Sequence, residues 1–468
     1  MSKLIYIATL AALLSAPAVT HGQHQHHTGD QHQHQPSQPQ TDSAPVQPGS
    51  GHQHDAKQGY AETAPQHEIA QHGTHDPMSA AERLELGFAS GTAWQAQSSP
   101  EYMWMMNWRA WDLMAHGQSQ ISFNHQGGPR GVGKLESMNW VMLMQQRKVG
   151  RGTLQFRQML SGEGLTSPRP GFPQLFQTGE TYKGRPLIDH QHPHDVFGEI
   201  SVRYVLPLNE QVTWSVYGGP AGEPALGPVT FMHRSSAMEL PGAPLGHHLQ
   251  DSTHTAFGVV TTGIAVGKVK IEGSVFNGRE PDEERWNFDF APMDSFSGRV
   301  SFAPNKNWAM QYSYGHLRKP EALEDTNINR QTASINYNRE LSGGNWATTL
   351  VWGRNFKSEH STVQNSYLLE STLNFRRLNY AYTRLELLDK DELFPDGDSP
   401  LGGHHDNFRI GAYTFGAVRD VVQNDKLQVG VGADVTFYSK PGELNSIYGE
   451  RPVSVRAFLR IRPGRMKH

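Results

Sequence analysis

From Gln120 onward the chain is a succession of short segments in which every second residue is apolar, and this period of two constrains the fold more than any other feature. In QTASINYNR, Ala333, Ile335 and Tyr337 fall on one face of an extended chain, and Thr332, Ser334, Asn336 and Asn338 on the other. In EISVRYVL, Ile200, Val202, Tyr204 and Leu206 oppose Glu199, Ser201 and Arg203. In VSVRAFLRIR, Val453, Val455, Ala457, Leu459 and Ile461 oppose Ser454, Arg456, Arg460 and Arg462. One face is apolar and the other carries charge. Segments such as IEGSVFNG, WAMQYSYGH, NWATTLVWGRN and FRIGAYTFGAV repeat the pattern between Gly, Pro, Asn and Asp turns, so the fold class is all-β.

A periplasmic β-sandwich also alternates, but three features select a transmembrane antiparallel β-barrel. The segments from Gln120 to Arg462 number about 16, within a range of roughly 14 to 18, an even count in the porin range. Tight turns such as APNKN and LSGGN alternate with long connections, Gly162 to Asp189 and Gly218 to Thr253, as short periplasmic turns alternate with long outer loops. Trp308, Tyr314, Trp346, Trp352 and Tyr438 fall near strand ends, where amphipathic rings sit at a membrane interface.

The N-terminus is organised differently. Lys3, the apolar run Leu4 to Leu14 and the small residues Ala16-Pro17-Ala18 read as a cleaved secretory signal peptide over residues 1–22. Residues 23–102 open as a His/Gln/Pro-rich stretch with almost no large apolar side chain, and are expected to form a disordered tail. Its clusters His24, His26 and His27, then His32 and His34, are spaced for a flexible chain to wrap around a borderline or soft cation. Residues 103–468 form the barrel domain.

Net charge is −4, so no basic field points to nucleic acid. Cysteine is absent, which removes thiolate chemistry and leaves His, Met and carboxylates for any metal. There is no nucleophile elbow, phosphate loop or zincin helix, and no local motif brings a Ser, His and carboxylate together as in a membrane-embedded lipase, so a non-enzymatic role is expected.

Histidine supplies the candidate chemistry. In LIDHQHPHD, His190, His192 and His194 would share one face of an extended chain, with Asp195 beside them, at a spacing that lets imidazoles share a metal. The loop between Gly218 and His254 carries His233, His247, His248 and His254 with enough Gly and Pro to be compact, and could fold inward toward His192 and His194. Met103, Met105, Met106, Met138, Met142 and Met144 offer thioethers that suit Cu(I), although packing is the ordinary use of such residues. The run NGREPDEERWNFD, Asn277 to Asp289, could face water in the lumen or bind a cation, although a solvated turn is the ordinary reading.

The stretches GETYKGRPLIDHQHPHD, GGPAGEPALGPVTFMHR, APLGHHLQDSTH, FNGREPDEERWNFD and NWATTLVWGRN resemble a family of uncharacterised predicted bacterial outer-membrane proteins often found with copper- and heavy-metal-resistance genes. The resemblance runs from about Trp104 to the C-terminus. Members more often carry Arg where this chain has His190, which makes His192 and His194 the firmer pair, and the RPGRMKH end departs from the terminal aromatic of barrel proteins. The resemblance and the histidines together lead to the expectation of a porin-like or metal-binding barrel of the bacterial outer membrane. It would handle copper first, then zinc, nickel or cobalt, with the lipid bilayer, metal ions and periplasmic metal-resistance proteins as partners. The alternative is a general solute porin, or a structural or adhesin barrel, whose histidines only stabilise loops.

Overall fold

The computed structural model describes residues 78–251, 255–359, 361–394 and 407–466. The signal peptide and tail histidines His24, His26, His27, His32 and His34, as well as His254, lie outside them. Seventeen strands share one sheet: β1 Met103–Trp108, β2 Trp111–His125, β3 Gly133–Val149, β4 Gly152–Ser161, β5 Phe197–Pro207, β6 Val212–Ala221, β7 Val259–Val266, β8 Val269–Phe276, β9 Ser295–Phe302, β10 Trp308–Leu317, β11 Ile328–Leu341, β12 Gly344–Lys357, β13 Thr362–Phe375, β14 Asn379–Lys390, β15 Phe408–Gln423, β16 Leu427–Ser439 and β17 Val453–Pro463. Each of β2 to β17 pairs antiparallel with the next, and β17 returns to β2 from Ser119↔Ile461 to His125↔Val455, closing a barrel of 16 strands. Strand β1 completes the seam by pairing with the part of β2 that β17 leaves free, from Met103↔His116 to Trp108↔Trp111.

The alternation read from sequence divides inside from outside. On β7, β8 and β9, buried and exposed residues alternate at every position. Val260, Ile264, Ile271, Val275, Phe296 and Val300 point out, with Ile271 64% exposed. Thr261, Lys270, Glu272, Ser297 and Arg299 point in and are buried. A continuous apolar outer surface of this kind is stable only against lipid. One end of the barrel has connections as short as 150–151, 267–268 and 342–343, whereas the other has 162–196, 222–258, 277–294 and 440–452. Gly150 and Gly267 take the left-handed conformation that two-residue hairpins require, at φ 59° and 56°. Tyr314 and Trp346 are exposed on the outer face, as an interfacial place requires, whereas Tyr438 is not, its hydroxyl bonding Gln126 and Ser454 inside the barrel.

The lumen is filled. Ser79–Tyr102, read from sequence as part of the tail, is instead ordered. Ser79 caps a helix, α1 (Ala80–Glu85), by accepting from the Glu82 amide, and the chain beyond runs against inward-facing wall residues. Glu85 pairs with Arg203 and, at 3.4 Å, with Lys270, while Arg299 reaches Thr92 at 2.8 Å and Arg157 reaches the Gly91 carbonyl at 2.7 Å. The correction has a physical cause: ERLELGFASGTAW has apolar residues to bury and acids to match the basic inner wall. Loop 222–258 also folds inward. Arg234 binds Glu370, Ser236 binds Thr349, and Glu239 meets Arg460 and Arg462. Fully buried Arg157, Arg203, Arg330 and Arg460 are thus matched by carboxylates or carbonyls of the plugging segments and wall. Among the described residues, cavities at these contacts measure about 20 to 40 Å³, room for a water molecule or so, while the short-turn end keeps an open space of about 560 Å³ lined by Asn374, Tyr380, Gln428 and Arg465.

Candidate metal centre

Three inward-turned loops bring their polar residues together. Glu180 sits on a short hairpin, Glu180–Tyr182 against Arg185–Leu187, turned by Lys183 and Gly184 with positive φ. His248 sits on a helical turn, α2 (His247–Gln250), held to the wall by Gln250 on Ser366 at 2.7 Å and by Asn355 on the His248 carbonyl at 3.3 Å. Gly179 lets the two approach: a Cβ there, at φ +105°, would lie 2.5 Å from His248 Nδ1. Glu280, from the charged run read as a solvated turn, is buried here instead, its amide bonded to the Pro320 carbonyl at 2.9 Å.

The geometry is tight. His192 Nε2 lies 2.7 Å and His248 Nε2 3.5 Å from the same Glu180 oxygen, and His248 Nδ1 lies 3.2 Å from Glu280. One donor atom each from Glu180, His192 and His248 lies within 4.8 Å of the others. His192 Nδ1 is 2.8 Å from the Pro193 carbonyl, which accepts its N–H and turns the Nε2 lone pair toward Glu180. Two acceptors then face each other at 2.7 Å, and a positive charge between them, a proton or a metal ion, is what that contact requires.

Burial pushes the His192 imidazole below its ordinary value, against the pull of Glu180. Burial also pushes the Glu280 carboxyl well above the carboxylate range, with Glu180 adding to the push. Neutral imidazole is the form that binds a metal. The residues present fit a borderline divalent ion: two imidazoles, one carboxylate at bonding range and a second carboxylate behind.

The other sequence candidates separate. The extended row fails because Asp189 takes a positive φ of 58° and only His190–Gln191 is a strand, paired with Phe172–Pro173. His190 turns to the Ile188 carbonyl, at 3.1 Å, and burial, aided by Lys134 and Arg130, lowers its pKa. His194 binds Glu163 at 2.7 Å, which raises its pKa despite burial, and its ring centre is 6.0 Å from that of His192. Asp195 pairs with Arg285 at 3.3 Å. His247 bonds the Pro244 carbonyl and packs on His248 with ring centres 4.2 Å apart. His233 lies elsewhere, beside Met159. Glu180 was missed because it stands twelve residues before His192 and meets it only when loop 162–196 folds back, and Glu280 because it comes from a different loop. A second acidic group, Glu321, Glu324 and Glu392, surrounds the Lys357 ammonium, with Glu324 at 2.8 Å and Glu392 at 3.3 Å, so a cation of the protein's own already occupies its centre and offsets part of its charge.

No protein-family model and no curated protein matches this sequence. Similar solved structures are bacterial porins and channels. The anion-selective porin from Comamonas acidovorans is 10% identical at TM-score 0.46, over 75% of this chain and 99% of that one. Pseudomonas putida OprB is 10% identical at TM-score 0.45, over 76% and 94%. The outer membrane channel DcaP of Acinetobacter baumannii is 6% identical at TM-score 0.44, over 76% and 99%.

Proposed function

We propose that this chain is a non-enzymatic, porin-type barrel of a bacterial outer membrane whose inward-folded loops hold a divalent transition-metal ion between Glu180, His192 and His248. The observation that carries the reading is the convergence of those three buried donors within 4.8 Å. Copper(II) is the first candidate, because a nitrogen and oxygen site favours it over nickel, cobalt and zinc at equal geometry. The filled lumen supports a binding or gated role over free diffusion of solutes.

Calorimetry of the detergent-folded full chain with Cu(II) and Zn(II) tests this. His192→Ala combined with His248→Ala removes one tight site per chain while any binding by the tail persists. Identical isotherms for both proteins contradict the proposal. They favour the second reading, a barrel whose histidines tie loops together, for which the His194–Glu163 pair at 2.7 Å is the precedent.

A further inference from the structure

A second cluster of donors lies inside the barrel, and its chemistry differs. Met103, His116, Met142 and Met159 are successive register partners on β1, β2, β3 and β4: Met103↔His116, His116↔Met142, Met142↔Met159. All four are buried, so they share one inward row of side chains about 5 Å apart. Loop 222–258 lowers His233 onto that row, with Nε2 3.4 Å from Met159 Sδ. The His116 and His233 ring centres are 5.5 Å apart, and Trp140 packs on both at 5.1 and 4.7 Å.

Two nitrogens in this pocket, His116 Nε2 and His233 Nδ1, are buried and have no hydrogen-bond partner. A pocket built only for packing would use aliphatic side chains, which leave no such atoms. Here His233 turns its Nε2 to the Met159 sulfur, its Nδ1 and the His116 Nε2 are left without partners, and His116 stands in register beside Met103 and Met142. Thioether and imidazole together form a soft donor set, which selects a d¹⁰ monovalent ion.

We infer that Met142, Met159, His116 and His233 form a binding site for Cu(I), separate from the divalent site of Glu180, His192 and His248. It is reached from the barrel interior, since Met159 also borders the small cavity lined by His194, Phe231 and His247.

The test is X-ray absorption on the full chain in detergent, loaded anaerobically with Cu(I) supplied as such. The spectrum is expected to contain sulfur scattering. Met142→Leu combined with Met159→Leu keeps side-chain volume and should remove it, lowering bound Cu(I) by one equivalent while Zn(II) binding is unchanged. His192→Ala with His248→Ala should do the reverse, so either proposal can fail without the other. A wild-type spectrum with only nitrogen and oxygen scattering overturns the inference, whatever the variant's folding. Sulfur scattering that survives in a leucine variant with wild-type heat-modifiable migration overturns it too. Silver(I) titration of the wild type gives a redox-inert check: no binding beyond that of a protein also carrying His116→Ala and His233→Ala contradicts the site.

Discussion

Arg234, on the loop between β6 and β7, places its Nε 2.7 Å from an oxygen of Glu370 on the β13 wall. Arg384 takes the other oxygen at 2.8 Å, so one wall carboxylate fastens the plugging loop to the barrel. Removing Glu370 leaves two buried guanidiniums facing each other. Glu370→Ala is expected to destabilise the docked loop by about 3–5 kcal/mol, against a smaller effect for Glu370→Gln, which still accepts hydrogen bonds. Limited proteolysis within 222–258 and single-channel conductance read this out. Unchanged protease resistance and conductance would contradict the anchoring role.

The N-terminal segment has an equivalent fastening in Glu85, buried between Arg203 and Lys270. Glu85→Ala strands Arg203, leaving Lys270 to Glu272 at 3.2 Å, and should cost roughly 3–5 kcal/mol, whereas Glu85→Gln should be milder. Deleting residues 79–102 removes the segment altogether and, with loop 222–258 still docked, is expected to raise conductance in planar bilayers above that of the full chain. Equal conductance in a protein that also lacks the Arg234–Glu370 anchor would contradict an obstructing role for the segment.

Much of this architecture was legible in the chain. Ile200, Val202 and Leu206 against Glu199, Ser201 and Arg203 specified which face meets lipid, because a period of two leaves no other sorting. The charges on the inner face also implied partners, but not which ones. Ser79–Tyr102 was hidden by the polar stretch before it, and its role as a plug depends on residues as far away in sequence as Asn338, which bonds Ser98. The metal centre was half visible. His192 and His248 stood out as histidines, while Glu180 meets His192 only because loop 162–196 folds back on itself and Glu280 arrives from another loop, and the positive φ of Asp189 broke the row that regular extension would have aligned. Met159 and His116 escaped notice because cross-strand register, not spacing along the chain, makes them neighbours.

The lipid-facing assignment is tested on β8. Ile271 points outward opposite Ile264 of β7, and Ile271→Arg should destabilise the barrel in a bilayer by about 2–4 kcal/mol, as a cation near the midplane does. Folding titrations into vesicles measure the difference. A change near zero would place Ile271 at an interface or in water.

Asp189 gives the docked loop 162–196 a pH dependence. Its carboxylate meets Arg130 at 2.8 Å and the Phe176 amide at 2.7 Å, yet burial outweighs both and pushes it up to about 6. The folded state therefore holds this proton more tightly than the unfolded chain, so the stability it contributes is present at acid pH and lost as pH rises through about 6. The rise of some two units corresponds to about 3 kcal/mol. Asp195 and Asp251 shift in the same direction, so the readout is the difference between wild type and Asp189→Asn. Hydrogen exchange in 162–196, corrected for its intrinsic pH dependence, should accelerate between about pH 4 and 6 more in the wild type. Parallel profiles would contradict the assignment.

The central claim is that the inward loops assemble a metal centre, and anomalous diffraction tests it most directly. Crystals of the full chain soaked separately in Zn(II) and Cu(II), measured at each metal's absorption edge, should show a peak within about 2.0–2.2 Å of Glu180 oxygen and of one nitrogen each of His192 and His248. Clear density for these side chains with no anomalous peak between them, at metal concentrations that saturate binding in solution, would contradict it.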